Sequence, residues 1–131
     1  MAKRMRVTSP KVAEPPPQRW SNCIRVGDMV WVAGMTARVG DKVNGADEYE
    51  QSKTIFSKIK DLVEAAGGKM NDVVKVTIFV TNIANNTGVW KARAEFFTGD
   101  FPTSTLVEIS ALAAPELLVE IEAVAMLGSS S

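Results

Sequence analysis

The chain has 131 residues, of which 46% are hydrophobic and 23% are charged, a composition that predicts one globular domain over 1–131 with its own hydrophobic core. Lysine and arginine together number 15, as do aspartate and glutamate, so the sequence lacks the positive charge that binding to nucleic acid requires. No apolar run is long enough to cross a bilayer and no apolar segment follows the N-terminal charges, so we expect a cytoplasmic protein with neither a signal peptide nor a membrane partner.

The first part of the chain carries the pattern of a sheet. Residues 1–19 predict a strand followed by a connector that three consecutive prolines hold extended. Residues 23–26 and 29–33 are strand-like, and Gly27-Asp28 between them is typical of a tight hairpin. The polar, glycine-bearing segment 39–45 is predicted to be a loop.

A long amphipathic helix is predicted after this loop. Asp47 and Glu50 stand three residues apart, as an N-terminal capping pair does. Gly67-Gly68 supplies a C-terminal stop. Apolar residues recur between these ends at helical spacing: Ile55, Phe56, Ile59, Leu62, Val63 and Ala66.

The second part of the chain predicts strands around a shorter helix. Residues 73–80 (VVKVTIFV) form a central strand in this interpretation, because both of its faces are largely apolar. Thr87 is the expected N-cap of a helix that ends at Gly99, and Pro102 prevents its restart. The shared face of this helix is predicted to hold Trp90, Ala94 and Phe97. The last strands are expected at 105–110 and 117–126, followed by a flexible tail at 128–131.

Two helices against one sheet predict an α+β sandwich, in which the helices cover one sheet face and leave the other for water or another chain. Alternation places Val119 and Ile121 under the helices, and Glu120 and Glu122 on the uncovered face, roughly 6.7 Å apart. In the preceding strand, Val107 and Ile109 are expected under the helices and Glu108 on the uncovered face. That face also carries apolar residues, which favours a subunit interface over open water. These are Leu106, Leu118, Val124 and Met126.

The absence of histidine narrows the possible chemistry. Ser-His and Cys-His nucleophiles and histidine-ligated metal sites are excluded. The one cysteine, Cys23, cannot form an internal disulfide, and we expect it to fill a small apolar space. Acid–base work near neutral pH therefore falls to carboxylates, lysines, Tyr49, hydroxyls or water.

Several spaced motifs resemble the Rid (YjgF-type) reactive-intermediate deaminase family: RVGDMVWVAG at 25–34, DVVKV at 72–76, EFF at 95–97, FPTST at 101–105 and VEIEAVA at 119–125. The resemblance runs from Trp20 to Ala125. It implies a chorismate-mutase-like fold and a homotrimer, with the sheets in a central barrel and small-molecule sites in the clefts between subunits. Active members of this family hydrolyse imines or enamines and release ammonia, without a metal or another cofactor.

The resemblance also assigns candidate site residues. It implies that Glu120 is the catalytic, water-activating carboxylate and that the Gly34 backbone faces the ligand. Four positions depart from the motifs of active members. Ser104 stands where they carry an arginine that can hold a substrate carboxylate through two hydrogen bonds. Trp20 replaces a common tyrosine, Trp90 replaces an asparagine, and Met35 replaces a glutamine. With Thr105, these residues complete the predicted substrate-binding set.

For each candidate an ordinary structural role stays open. Glu120 is also read as an interface carboxylate, Ser104 as a turn residue and Trp90 as helix packing. Trp31 is expected in the core. Glu108 and Glu122 carry no functional prediction; a structural role, through interchain hydrogen bonds or salt bridges, is expected for both.

Two functions remain open at this point. The first is a trimeric hydrolase of an imine, enamine or related C–N bond, with a substrate altered by the loss of the arginine. The second is a trimer that binds a metabolite in the same cleft without turnover, which Ser104 favours because a hydroxyl cannot neutralise a carboxylate. Nucleic-acid cleavage is disfavoured by the neutral charge and the absent histidine.

Overall fold

The structure is a computed structural model that describes residues 2–130. The strands are β1 (Met5–Arg6), β2 (Cys23–Val26), β3 (Met29–Met35), β4 (Arg38–Val39), β5 (Lys42–Val43), β6 (Val73–Val80), β7 (Thr103–Glu108) and β8 (Val119–Met126). Six of them form one sheet in the order β1-β2-β3-β8-β6-β7, and β4 pairs with β5 in a separate hairpin. All neighbouring strands of the sheet are antiparallel except β6 and β7, which are parallel. The helices are α1 (Glu48–Ala65) and α2 (Asn86–Ala94), with 3₁₀ turns at Met70–Asp72 and Ile83–Asn85.

The predicted β2–β3 hairpin is confirmed, and Gly27 occupies its turn with a φ of 58° that glycine adopts at low cost. The segment 39–45, predicted as a loop, instead contains most of the small β4–β5 hairpin. Its strands have two residues each, too few for side-chain alternation to be recognisable in the sequence.

Helix α1 is confirmed, together with both of its end signals. The Asp47 carboxylate accepts a hydrogen bond from the Glu50 N–H at 2.8 Å, as an N-cap does. Beyond the helix, Gly67 has a φ of 101°, which stops the helical repeat. The apolar stripe of α1 is fully buried against the sheet and α2: Ile55, Phe56, Ile59, Leu62 and Val63. Within residues 2–130 neither helix is both long and apolar enough to cross a bilayer.

Helix α2 is shorter than the sequence predicts and presents a different face. Asn85 is its N-cap, so Thr87 lies inside the helix, and its last residue is Ala94 rather than one near Gly99. Its buried residues are Val89 and Ala92, whereas Trp90 is 48% exposed. The buried face is set by how α2 packs against α1, a contact between separate segments that spacing within α2 does not reveal.

The two faces of the sheet are assigned by the strand register. Beneath the helices, the covered face holds Val119, Ile121, Ala123 and Ala125 of β8, each at most 3% exposed. The parallel β6–β7 register pairs Ser104 with Val76 and Glu108 with Val80, and both valines are fully buried on this face. The prediction for β7 was therefore wrong: Glu108 lies on the covered side and Val107 on the other. Side-chain alternation alone allows either set of β7 residues to face the helices, and only the pairing of β7 with β6 decides between them.

The opposite face, which we call the open face, is lined by residues that nothing within residues 2–130 covers. Trp31 lies here, paired with Ile24 and Val124, and is 44% exposed, so its predicted place in the core was wrong. Around it the face forms a concavity of about 320 Å³ whose polar edge includes Lys75 and Glu122. Apolar side chains left uncovered at the centre of a sheet favour a partner over water.

Two smaller expectations concern Cys23 and the C-terminal tail. Cys23 is fully buried, as predicted, and burial raises the pKa of its thiol to about 11, so it is unreactive at neutral pH. In the segment 128–131, expected to be flexible, the Ser130 N–H donates to the Asp72 carboxylate at 2.9 Å. Ser131 lies outside the described residues.

Candidate functional site

Glu120 and Gly34 come together at an irregularity in the sheet. The β3–β8 register shifts between Val32 and Met35, and this shift sets Gly34 against the Glu120 side chain. A Cβ added to Gly34 would lie 2.5 Å from Oε2 of Glu120 and 2.8 Å from its Cδ. Since real Cβ atoms do not approach other atoms so closely, the carboxylate occupies space that exists only because residue 34 is glycine.

The electrostatic surroundings of Glu120 favour its protonated form more than water would. Burial of the half-buried carboxyl raises its pKa, and the neighbouring carboxylate of Glu122 raises it further. No lysine or arginine among residues 2–130 forms an ion pair with Glu120. A carboxylate with a raised pKa and no ion-pair partner can accept a proton from water and return it.

Trp20 and Met35, two other predicted ligand contacts, belong to the same end of the sheet but differ in exposure. The Ala33 N–H donates to the Asn22 carbonyl at 2.8 Å, which holds the segment that follows Trp20 beside β3. The Trp20 ring is 54% exposed, and its Nε1 donates to Oδ1 of Asn22. Met35 is only 5% exposed and packs in the core, so its side chain offers a ligand little surface. We call Gly34, Glu120 and Trp20 the Glu120 half-site.

Ser104 lies at the opposite edge of the sheet, on β7, and its side chain has one specific partner. Nη1 of Arg93 on α2 donates to the Ser104 hydroxyl at 2.7 Å. Trp90 precedes Arg93 by three residues, so both side chains leave the same side of the helix. We call Ser104, Arg93 and Trp90 the Ser104 half-site. Thr105 is exposed and faces the other way, because it pairs with Thr77 of the open face.

Arg93 is the residue that the sequence interpretation missed. Its position in the last turn of a short helix resembles an ordinary favourable charge at a helix C-terminus. The spacing of three residues from Trp90 was a usable signal. The proximity of Arg93 to Ser104 could not be read from the sequence, because that contact depends on how α2 packs against β7.

One chain alone does not unite the two half-sites. Strand β6 separates β8 from β7, and Glu120 points to the open face whereas Ser104 points to the covered face. Glu120 pairs with Phe79 of β6, and Ser104 pairs with Val76 of the same strand. The spacing of strands and the rise per residue therefore place the backbones of Glu120 and Ser104 about 14 Å apart. A small metabolite cannot contact both side chains within one copy.

Comparisons with known proteins agree on one family. Residues 11–127 match the family model described as Endoribonuclease L-PSP. A relative from Dermatophagoides farinae, named 2-iminobutanoate/2-iminopropanoate deaminase, is 34% identical over 127 residues, in an alignment that covers 93% of this chain and 96% of the relative. A RutC family protein from Pyrococcus abyssi is 35% identical over 109 residues, covering 81% of this chain and 84% of the relative.

Solved structures extend the same comparison to the fold. The crystal structure of PA3499 from Pseudomonas aeruginosa is 38% identical, covers 98% of this chain and 95% of its own, and superposes with a TM-score of 0.90. The YjgF gene product from E. coli is 28% identical, covers 93% of this chain and 98% of its own, and gives a TM-score of 0.82. The mixed sheet and two helices are thus shared along nearly the whole chain.

Proposed function

The chain belongs to the endoribonuclease L-PSP family, also called the YjgF or Rid family, and from this premise we propose that it hydrolyses an imine or enamine of a small metabolite with release of ammonia. Its fold is the chorismate-mutase-like α+β fold of that family, as the sequence predicts. The relative named as a deaminase of 2-iminobutanoate and 2-iminopropanoate supports this class of reaction.

The observation that carries the proposal is the packing of the Glu120 carboxylate across Gly34, half-buried and without an ion-pair partner among residues 2–130. In the proposed reaction Glu120 accepts a proton from water while the hydroxyl adds to the C=N carbon. Glu120 passes this proton to the nitrogen, which gives a carbinolamine. A second proton then moves from the added hydroxyl to the nitrogen as the C–N bond breaks, so ammonia leaves and the carbonyl product remains. One water is consumed for each ammonia released, and no electrons are exchanged.

The site is completed between copies of the chain in a homotrimer. The uncovered apolar side chains of the open face support an interface there, and the separation of the two half-sites within one chain supports a cleft that draws on two subunits. In this arrangement the Glu120 half-site of one subunit faces the Ser104 half-site of its neighbour, and the ligand lies between them.

Light scattering should therefore give a mass of about three times the 14.2 kDa of one chain. Trp31→Glu should leave the chain folded but dissociate the trimer, because Trp31 is exposed in one chain and a buried unpaired charge opposes association. Val39→Glu is the matched control, since Val39 is 53% exposed on the separate β4–β5 hairpin. A monomeric wild type, or dissociation by both substitutions, would contradict the proposed interface.

The proposed activity is tested by ammonia release from imines generated enzymatically from aliphatic, aromatic and dicarboxylic amino acids. An arginine-bearing member of the family serves as the positive control. Acceleration by the wild-type chain of at least one imine is expected. No acceleration across the panel, with the control active, would contradict a deaminase.

The second candidate function is a trimer that binds a metabolite without turnover. The observation in its favour is the neutral side chain of Ser104, where the sequence resemblance implies an arginine in active members. Mass spectrometry of the purified protein distinguishes the candidates, because a binding protein retains an unaltered metabolite. RNA cleavage, which the description of the family model names, is the weaker candidate because the chain is neutral and contains no histidine.

A further inference from the structure

Arg93 is a charged side chain whose hydrogen bonds within residues 2–130 leave most of its donors unused. It is half-buried between α2 and β7, where Nη1 donates to the Ser104 hydroxyl. A guanidinium carries five N–H donors in a planar fork. No carboxylate among residues 2–130 forms an ion pair with it.

The surroundings of Arg93 favour an incoming anion. Burial lowers the pKa of Arg93, which means that the cation has lost part of its hydration without gaining an ionic partner. An anion placed against the guanidinium would offset that loss. The Ser104 hydroxyl accepts its hydrogen bond from Arg93, so its own hydrogen remains available to donate. Arg93 and Ser104 thus present donors side by side.

The position of this pair makes it accessible from outside the chain. Strand β7 is the last strand of the sheet, and Ser104 on it is exposed. Trp90 lies one helical turn before Arg93 and exposes 48% of its surface. An indole beside a guanidinium suits a ligand that combines an anionic group with a planar or apolar body.

We infer that Arg93, positioned by its hydrogen bond to Ser104, binds the carboxylate of the ligand, and that Trp90 contacts the adjoining apolar group. The inferred ligands are small carboxylic acids with a planar or apolar body. If the ligands are substrates, they are 2-imino acids with such a body, and this part of the inference rests on the proposed function. The sequence predicts that the chain has lost the ionic contact with a substrate carboxylate, because Ser104 stands in place of an arginine on β7. In our inference that contact is made by Arg93 of α2 instead.

The test is direct binding, measured by calorimetry or NMR titration with benzoate and benzamide, which share a ring and differ in charge. The wild-type chain should bind benzoate more tightly than benzamide. Arg93→Gln should weaken benzoate binding about tenfold or more and leave benzamide binding unchanged. Lys91→Gln removes a charge from the same helix turn, where Lys91 lies over the Tyr49 ring, and should bind benzoate like the wild type.

A second substitution distinguishes loss of the guanidinium from a disturbed fold, because binding can be restored only in a chain that is still folded. In the Arg93→Gln background, Ser104→Arg should restore the preference for benzoate by supplying a guanidinium from β7. Equal benzoate affinity of the wild type and a folded Arg93→Gln variant would overturn the inference, as would an equal loss in Lys91→Gln. Because these titrations involve no turnover, they are read separately from ammonia release, whose failure would overturn only the deaminase.

Discussion

Replacing Glu120 by glutamine should lower kcat for imine hydrolysis by about 10²- to 10⁴-fold. The amide has nearly the same shape, so it still fits across Gly34, but it cannot accept the proton of the attacking water. Ammonia release under saturating imine measures the effect. A Glu120→Gln variant with wild-type kcat would show that the carboxylate takes no part in the reaction.

The same substitution should not destabilise the fold near neutral pH. The pKa of Glu120 is raised in the folded chain, so the folded state favours the protonated carboxyl. That contribution to stability is fully present below the pKa of the unfolded chain and is lost as the pH rises through the folded pKa. Urea unfolding at pH 7 should therefore find Glu120→Gln at least as stable as the wild type, with the difference disappearing in acid.

Glu122 provides a matched control for this prediction. It lies two residues further along β8 on the same face, is more exposed, and loses the same charge on substitution by glutamine. Glu122→Gln should retain most of kcat. Because the Glu122 carboxylate helps to raise the pKa of Glu120, the acidic limb of the pH–rate profile should move to lower pH. An equal loss of kcat in both variants would mean that activity depends on the negative charge of the open face in general, and not on the Glu120 carboxylate in particular.

Gly34→Ala should lower kcat/KM by about 100-fold while changing the melting temperature little. The added Cβ would meet the carboxylate end of Glu120 at 2.5 Å, so this side chain must move out of its position. Gly34 is not in the left-handed backbone region, and the atoms met belong to the end of a flexible side chain, so the backbone can accept alanine.

A double-mutant cycle separates displacement of Glu120 from a general disturbance of β3. In a Glu120→Ala background there is no carboxylate to displace, so adding Gly34→Ala should reduce activity little further. Equal losses in the presence and in the absence of the Glu120 side chain would indicate that Gly34 acts independently, for instance through its backbone alone.

Local signals explain what the sequence predicted well. Helix α1 carries an N-cap, an apolar stripe and a glycine stop within one continuous segment, and all three lie where expected. The pairing of Gly34 with Glu120 is a different case. Family resemblance singled out both residues, but the shift in the β3–β8 register that brings them into contact leaves no local pattern in either strand.

The predictions that failed depend on contacts between distant segments. The side of Glu108 follows from the parallel register of β7 on β6, and the exposure of Trp31 follows from the sheet leaving one face uncovered. Arg93 acquires its proposed role only through the packing of α2 against β7. Composition and periodicity describe each segment alone, so they carry little information about such pairings.

Subunit mixing tests most directly the central claim that the site is shared between neighbouring copies. Glu120→Gln removes one half-site, and Ser104→Asp disables the other by placing a carboxylate beside Arg93; each variant alone should be nearly inactive. In trimers refolded from an equal mixture, about a quarter of the clefts would combine two unaltered half-sites, so ammonia release should recover to about a quarter of the wild-type rate. A mixture that forms mixed trimers yet stays as inactive as its components would contradict a site shared between subunits.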